Sequence, residues 1–153
     1  MSLAQIVQRD RLQIHADTTS KKRTLERLSE LMASGVPDTS PGKVFDSLLV
    51  RERLGSTGFG DGVAIPHARH PGATFAIGAF MRLSKPVDFD AMDNEPVDLV
   101  FGLLVPEEST AEHVELLGEL AELFQDRDLR ASLRAAANTE EIFELLTSAS
   151  IHP

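Results

Sequence analysis

Residues 97–105 read Val-Asp-Leu-Val-Phe-Gly-Leu-Leu-Val, apolar throughout except for Asp98. A strand that is apolar on alternate residues can leave one face in water. A strand apolar at nearly every position must be covered on both. This run therefore predicts a central strand, and it requires helices above and below the sheet. Two further strands are expected, a short one at 63–65 ending at Pro66, and a longer one at 74–83 in which Phe75, Ile77, Ala79 and Met81 alternate.

The helices needed to cover such a sheet are legible. Ser20 stands before a segment at 21–34 whose Leu25, Leu28, Leu31 and Met32 form one apolar stripe, with Gly35 as a stop. Ser40-Pro41 opens a second helix that carries Val44, Phe45, Leu48 and Leu49 and delivers Arg51 at its end. Three more are expected at about 110–124, 128–136 and 139–146, the last opened by Asn138-Thr139-Glu140-Glu141. The expected fold class is α/β: one domain over residues 1–153, its core at about 3–148, with helices on both sides of a sheet and a frayed tail at 147–153.

A chain of 153 residues can bury a core of this kind without staples, and it has no cysteine to make them. That absence removes disulfides, thiolate metal sites and cysteine-borne phosphate together. No apolar run approaches the roughly twenty residues that span a bilayer, and no signal peptide is evident, so a cytoplasmic location without membrane insertion is expected. A formal net charge of -9 argues against a nucleic-acid partner. Lys21-Lys22-Arg23 is the one dense basic run and is read as a solvated helix face.

The chemistry of the chain is concentrated between residues 51 and 69. There Arg51-Glu52-Arg53-Leu54-Gly55-Ser56-Thr57-Gly58-Phe59-Gly60-Asp61-Gly62 leads into Val63-Ala64-Ile65-Pro66-His67-Ala68-Arg69. An imidazole that attacks phosphorus needs one nitrogen with a free lone pair and the other held as a donor. Around it, guanidinium forks, hydroxyls and backbone N–H groups must receive the phosphoryl oxygens. Arg51, Ser56, Thr57 and Arg69 are the candidates for those donors. The bland reading is that His67 is a structural histidine after a proline, and that Gly58, Gly60 and Gly62 are turn residues, with Asp61-Gly62 marking a hairpin. No lysine follows the glycines in the phosphate-loop pattern, so nucleotide binding by that route is not expected. Phe59 reads equally as a docking contact or as a strand anchor. His67 and His70 make an H-x-x-H step on an irregular stretch, without the helical register that would speak for a metal.

Arg51-Glu52 with Leu54-Gly55-Ser56-Thr57-Gly58, and Gly62-Val63-Ala64-Ile65-Pro66-His67-Ala68, closely resemble the active-site signature of the fructose/mannitol-type enzyme IIA domains of the phosphoenolpyruvate-dependent phosphotransferase system. Residues 89–100 and the Leu103-Leu104-Val105-Pro106 step resemble the nitrogen-regulatory branch of that family. The likeness extends from about residue 3 to residue 148.

The resemblance implies a mixed sheet and a set of roles. His67 would accept a phosphoryl group from a histidine phosphocarrier protein, with transfer at Nε2. His113, which spacing alone makes a surface helix residue in a helix capped by Ser109 or Thr110, would lie beside His67 and orient or stabilise it. Arg51 would hold the phosphoryl group, Ser56 and Thr57 would supply nearby polar groups, and Arg53 would be a surface charge. Neither a cofactor nor a metal is implied. A nitrogen-regulatory relay would control partner proteins such as kinases or transporters through its phosphorylation state. The alternatives are a sugar-transport IIA subunit that passes phosphate to a separate IIB, and a non-catalytic interaction module.

Overall fold

The computed structural model describes residues 3–108 and 111–149. Its chain order is α1 (Leu3–Ile6), a 3-10 turn (Arg9–Arg11), β1 (Leu12–Ala16), α2 (Lys21–Ala33), α3 (Pro41–Glu52), β2 (Gly58–Gly60), β3 (Val63–Ala64) and β4 (His67–His70). There follow β5 (Ile77–Val87), β6 (Val97–Pro106), α4 (Ala111–Phe124), α5 (Arg127–Ala135) and α6 (Thr139–Ala149). The six strands form one mixed sheet in the order β1-β5-β6-β3-β2, with β4 also paired to β6. β5 runs antiparallel to β6, while β3 and β4 run parallel to it. Since Leu103 and Leu104 pair with β5 as well as β4, and Leu99 and Val100 with β5 as well as β3, β3 and β4 lie end to end along the same edge of β6.

β6 is central, as its composition requires. Leu99, Phe101, Leu103 and Val105 enter a core built with α1, α4, α5 and α6, and Val97, Val100 and Leu104 enter a second core built with α2 and α3. Gly102 stands where α2 crosses the sheet. A Cβ there would lie 2.7 Å from Leu28 Cδ2, so the helix can rest this close only on a glycine.

Both early helices start as the sequence predicts, with the hydroxyls of Ser20 and Ser40 accepting from the N–H groups of Arg23 and Lys43. Asp61 and Gly62 have φ of 57° and 80° and turn β2 into β3, which bears out the hairpin.

Several expectations are corrected. Phe75 is not part of the alternating strand: β5 begins at Ile77, and Phe75 is 54% exposed in the loop before it. The stop at Gly35 holds, since α2 ends at Ala33 with Ser34 as its cap, but Gly35 is there for space rather than for a positive φ, as a Cβ would crowd Arg11 and Ile77. The stretch 67–70 is not irregular but a strand, held to β6 by its backbone. Lys21 is not simply solvated, since its ammonium lies 3.6 Å from the buried carboxylate of Glu52. The last helix continues to Ala149, three residues into the expected tail, with the Thr147 hydroxyl donating to the Phe143 carbonyl. Residues 109–110, and with them the expected cap of α4, lie outside the described residues, as do residues 150–153.

Candidate functional site

The break between β3 and β4 presents His67. Ile65 and Pro66 separate the two short strands, and the Pro66 carbonyl accepts from the Leu103 N–H, which seats β4 on β6. The Ile65 carbonyl turns instead to the histidine, where Nδ1 lies 2.8 Å from it. A carbonyl can only accept, so Nδ1 carries the proton and Nε2 keeps its lone pair. That lone pair receives the Nε–H of Arg51 at 3.2 Å. Which ring nitrogen keeps its free lone pair is thus set by an acceptor two residues back in the chain, which no side-chain motif could reveal.

Arg51 reaches the ring from the last turn of α3. Its Nη1 donates to the carbonyl of Gly55 at 2.8 Å, so the loop after the helix fixes the guanidinium while its Nε–H meets the imidazole. Arg53, two residues on, is exposed.

His113, from the first turn of α4, closes the other side. Its ring meets that of His67 edge to face, with centroids 5.5 Å apart at 79°. Its Nε2 is buried and has no hydrogen-bond partner among the described residues.

Both rings are held neutral. Burial, followed by the positive charge of Arg51, pushes His67 below the ordinary value of 6.5, although the hydrogen bond to Ile65 opposes the shift. Burial also pushes His113 down, and His67, Arg69 and Arg51 add to the effect. Arg69 is exposed and shares a face of β4 with His67 by strand alternation.

Ser56 and Thr57 are near in sequence, but their hydroxyl protons are engaged elsewhere. Ser56 donates to the Phe89 carbonyl at 2.6 Å, and Thr57 donates to the Glu52 carboxylate at 2.6 Å. They shape the loop rather than aim donors at the ring. Glu52 is the residue that sequence reasoning passed over: it is buried, and both its oxygens also accept from the Thr57 N–H. It stood in the Arg51-Glu52 step of the signature without a role of its own. Phe59 packs against the core in β2, which makes it a strand anchor.

Other features stand apart. The groove between α5 and α6, about 740 Å³ and lined by Leu129, Ala136, Glu141 and Leu145, contains none of His67, His113 or Arg51. No group of three or more metal-ligating side chains occurs among the described residues. No helix among them is long and apolar enough to cross a membrane.

The chain as a whole matches a known family. The family model described as phosphoenolpyruvate-dependent sugar phosphotransferase system, EIIA 2, covers residues 5–149. The chain belongs to that EIIA family. Within it, the chain is 44% identical over 144 residues to a nitrogen regulatory protein of Pseudomonas aeruginosa, covering 94% of each chain. It is 40% identical over 148 residues to that of Escherichia coli, covering 96% of this chain and 90% of the relative. Among solved structures, the nitrogen regulatory protein IIA-Ntr of Neisseria meningitidis superposes with a TM-score of 0.90 at 43% identity, over 95% of this chain and 99% of the other. The mannitol IIA of Escherichia coli, 21% identical with a TM-score of 0.75, shares the EIIA fold.

Proposed function

We propose that this EIIA protein is a phosphoryl-relay regulator of a nitrogen phosphotransferase system, taking phosphate on Nε2 of His67 from a histidine phosphocarrier. The observation that carries the reading is the fixed tautomer of His67, with its lone pair directed at the guanidinium of Arg51. In the transfer, the N–P bond to the carrier's ring breaks as the bond to Nε2 forms. Each ring keeps the N–H on its other nitrogen, so no separate proton acceptor is needed. His67 gains positive character as it is phosphorylated, and the Ile65 carbonyl on Nδ1–H stabilises it. Arg51 gives up its bond to Nε2 and takes the phosphoryl oxygens, beside the ring of His113 that meets His67 edge to face.

Exposed apolar side chains flank these groups: Leu54 lies just past Arg51 and Val114 just past His113. They suit contact with a protein that presents its phosphohistidine at the surface. A phosphoryl group placed among them adds charge and acceptor oxygens to that same surface, and so can switch the binding of a regulated partner.

The test is intact-mass analysis after incubation with phosphoenolpyruvate, the enzyme I kinase and the phosphocarrier, beside a His67→Ala variant. The expected result is an acid-labile gain of one phosphate that the variant lacks. No gain from a demonstrably phosphorylated carrier defeats the relay and leaves an interaction module. Onward passage of the phosphate to an added IIB protein identifies a sugar-transport subunit instead.

A further inference from the structure

His70 is the one other histidine on β4, and the relay as described makes no use of it. It is 3% exposed. Both its ring nitrogens are bonded to hydroxyls: Nδ1 to Ser47 Oγ at 2.8 Å and Nε2 to Thr39 Oγ1 at 2.9 Å. Burial, and then the charge of Lys43, hold it neutral. A neutral imidazole has one donor and one acceptor nitrogen, and a hydroxyl can serve either, so both bonds are satisfied in either tautomer.

The location of these partners matters more than their number. Thr39 directly precedes the cap of α3, and Ser47 sits within that helix, four residues before Arg51. Positions four apart lie one above the other on a helix face. The face of α3 that reaches His70 is therefore the face that delivers Arg51. On the strand side, His70 is three residues beyond His67. One buried ring thus joins the helix that carries the guanidinium to the strand that carries the nucleophile, and α3 packs directly on β4.

We propose that His70 is a positioning residue for phosphoryl transfer: bonded to Ser47 and Thr39, it bolts α3 to β4 and thereby sets Arg51 against Nε2 of His67. This rests on the relay reading above. The bond it protects is a long one at 3.2 Å between groups on two separate elements, so a slip of a fraction of an ångström loses it.

The test uses the full chain as wild type, His70→Leu, His70→Asn and Ser47→Ala. Nitrogen-15 NMR follows the His67 ring and the Arg51 Nε–H, and transfer kinetics separate kcat from the KM for the phosphocarrier. In His70→Leu and Ser47→Ala, the His67 Nδ1–H signal stays, because its acceptor Ile65 is local, while the Arg51 Nε–H signal shifts or broadens. kcat falls roughly ten- to a hundredfold with KM unchanged, the scale expected for loosened positioning. His70→Asn, whose amide overlays Nδ1 and keeps the bond to Ser47, recovers part of the loss.

Wild-type Arg51 signals and kcat in a folded His70→Leu protein overturn the proposal. A raised KM at constant kcat also overturns it, since that marks His70 as part of the docking surface. Should His70→Leu fail to fold, Ser47→Ala, which removes a single hydroxyl, decides the matter by the same readouts. Failure of the relay itself is read on the wild type alone, as absence of phosphorylation. The NMR comparison needs no phosphoryl donor and still decides whether His70 holds Arg51 to His67.

Discussion

Arg51 donates its Nε–H to Nε2 of His67 at 3.2 Å, so a cation rests on the ring's free lone pair. The bond restrains the resting ring and, in the relay proposed above, places the charge where the phosphoryl group would arrive. Arg51→Ala should slow phosphorylation roughly ten- to a hundredfold, the equivalent of a lost hydrogen bond to a charged group. Arg53→Ala, at an exposed position two residues on, should leave the rate within about twofold. Stopped-flow or quench measurement of phosphate uptake makes the comparison, and equal rates for the two variants contradict the assignment.

The pH dependence follows from the direction in which the histidines are shifted. His67, His70 and His113 all lie below the ordinary 6.5 in the folded chain. Unfolding restores that value, so in the interval just below 6.5 the unfolded chain binds more protons, and stability falls as the pH drops through it. Denaturant melts should show a lower midpoint at pH 5 than at neutrality. The rate of phosphorylation should hold steady down through 6.5 and decline only below it, as His67 loses its lone pair. An NMR titration placing His67 at or above 6.5 would refute the account.

Glu52 accepts from the N–H and the hydroxyl of Thr57 with both oxygens, in a buried position where water cannot replace it. Glu52→Ala should cost about 2–3 kcal/mol of stability, because it strands a buried N–H and leaves Lys21 without its nearer carboxylate. Glu52→Gln keeps one acceptor oxygen and should cost less. Urea denaturation of the two variants tests the order.

At Gly62 the chain has φ of 80°, and its carbonyl accepts from the N–H groups of Asp98 and Leu99 at 3.0 Å. A Cβ there would run into the Arg134 guanidinium and approach Asp98 Oδ1 to 2.9 Å, across the ion pair those two residues form. Gly62→Ala should therefore destabilise the protein by about 1–3 kcal/mol. Its thermal midpoint should fall while the mass of phosphate taken up by the folded protein stays the same.

The sequence was most informative where burial or capping leaves a local pattern. The apolar run of β6, the serine caps of α2 and α3, and the Asp61-Gly62 turn all write their structure into neighbouring residues. β4 is different: His-Ala-Arg-His has no strand signature, and it becomes a strand because β6 offers it an edge. β1 was missed for a related reason. Its apolar Leu12, Ile14 and Ala16 alternate, but the strand is five residues long and includes His15 at a φ of 58°. At the site, His67 and Arg51 could be named from their motif. The destinations of the Ser56 and Thr57 hydroxyl protons could not, since both are settled by groups that the motif does not order. Ser47 and Thr39 lie 23 and 31 residues from His70, and only the folded chain brings them to it.

Ile65, Pro66 and His67 together settle which nitrogen of the ring keeps its lone pair. The acceptor that pins Nδ1 belongs to the same short segment as the ring, and the guanidinium comes from elsewhere. Regiochemistry is thus local, whereas reactivity is assembled at a distance. When Arg51 swings toward a bound phosphate, or when a partner covers this face, the ring has no means of exchanging its nitrogens. In the proposed relay, a mutation that displaces the arginine would leave the ring in its tautomer with Nε2 still open, and restoring the cation would restore transfer.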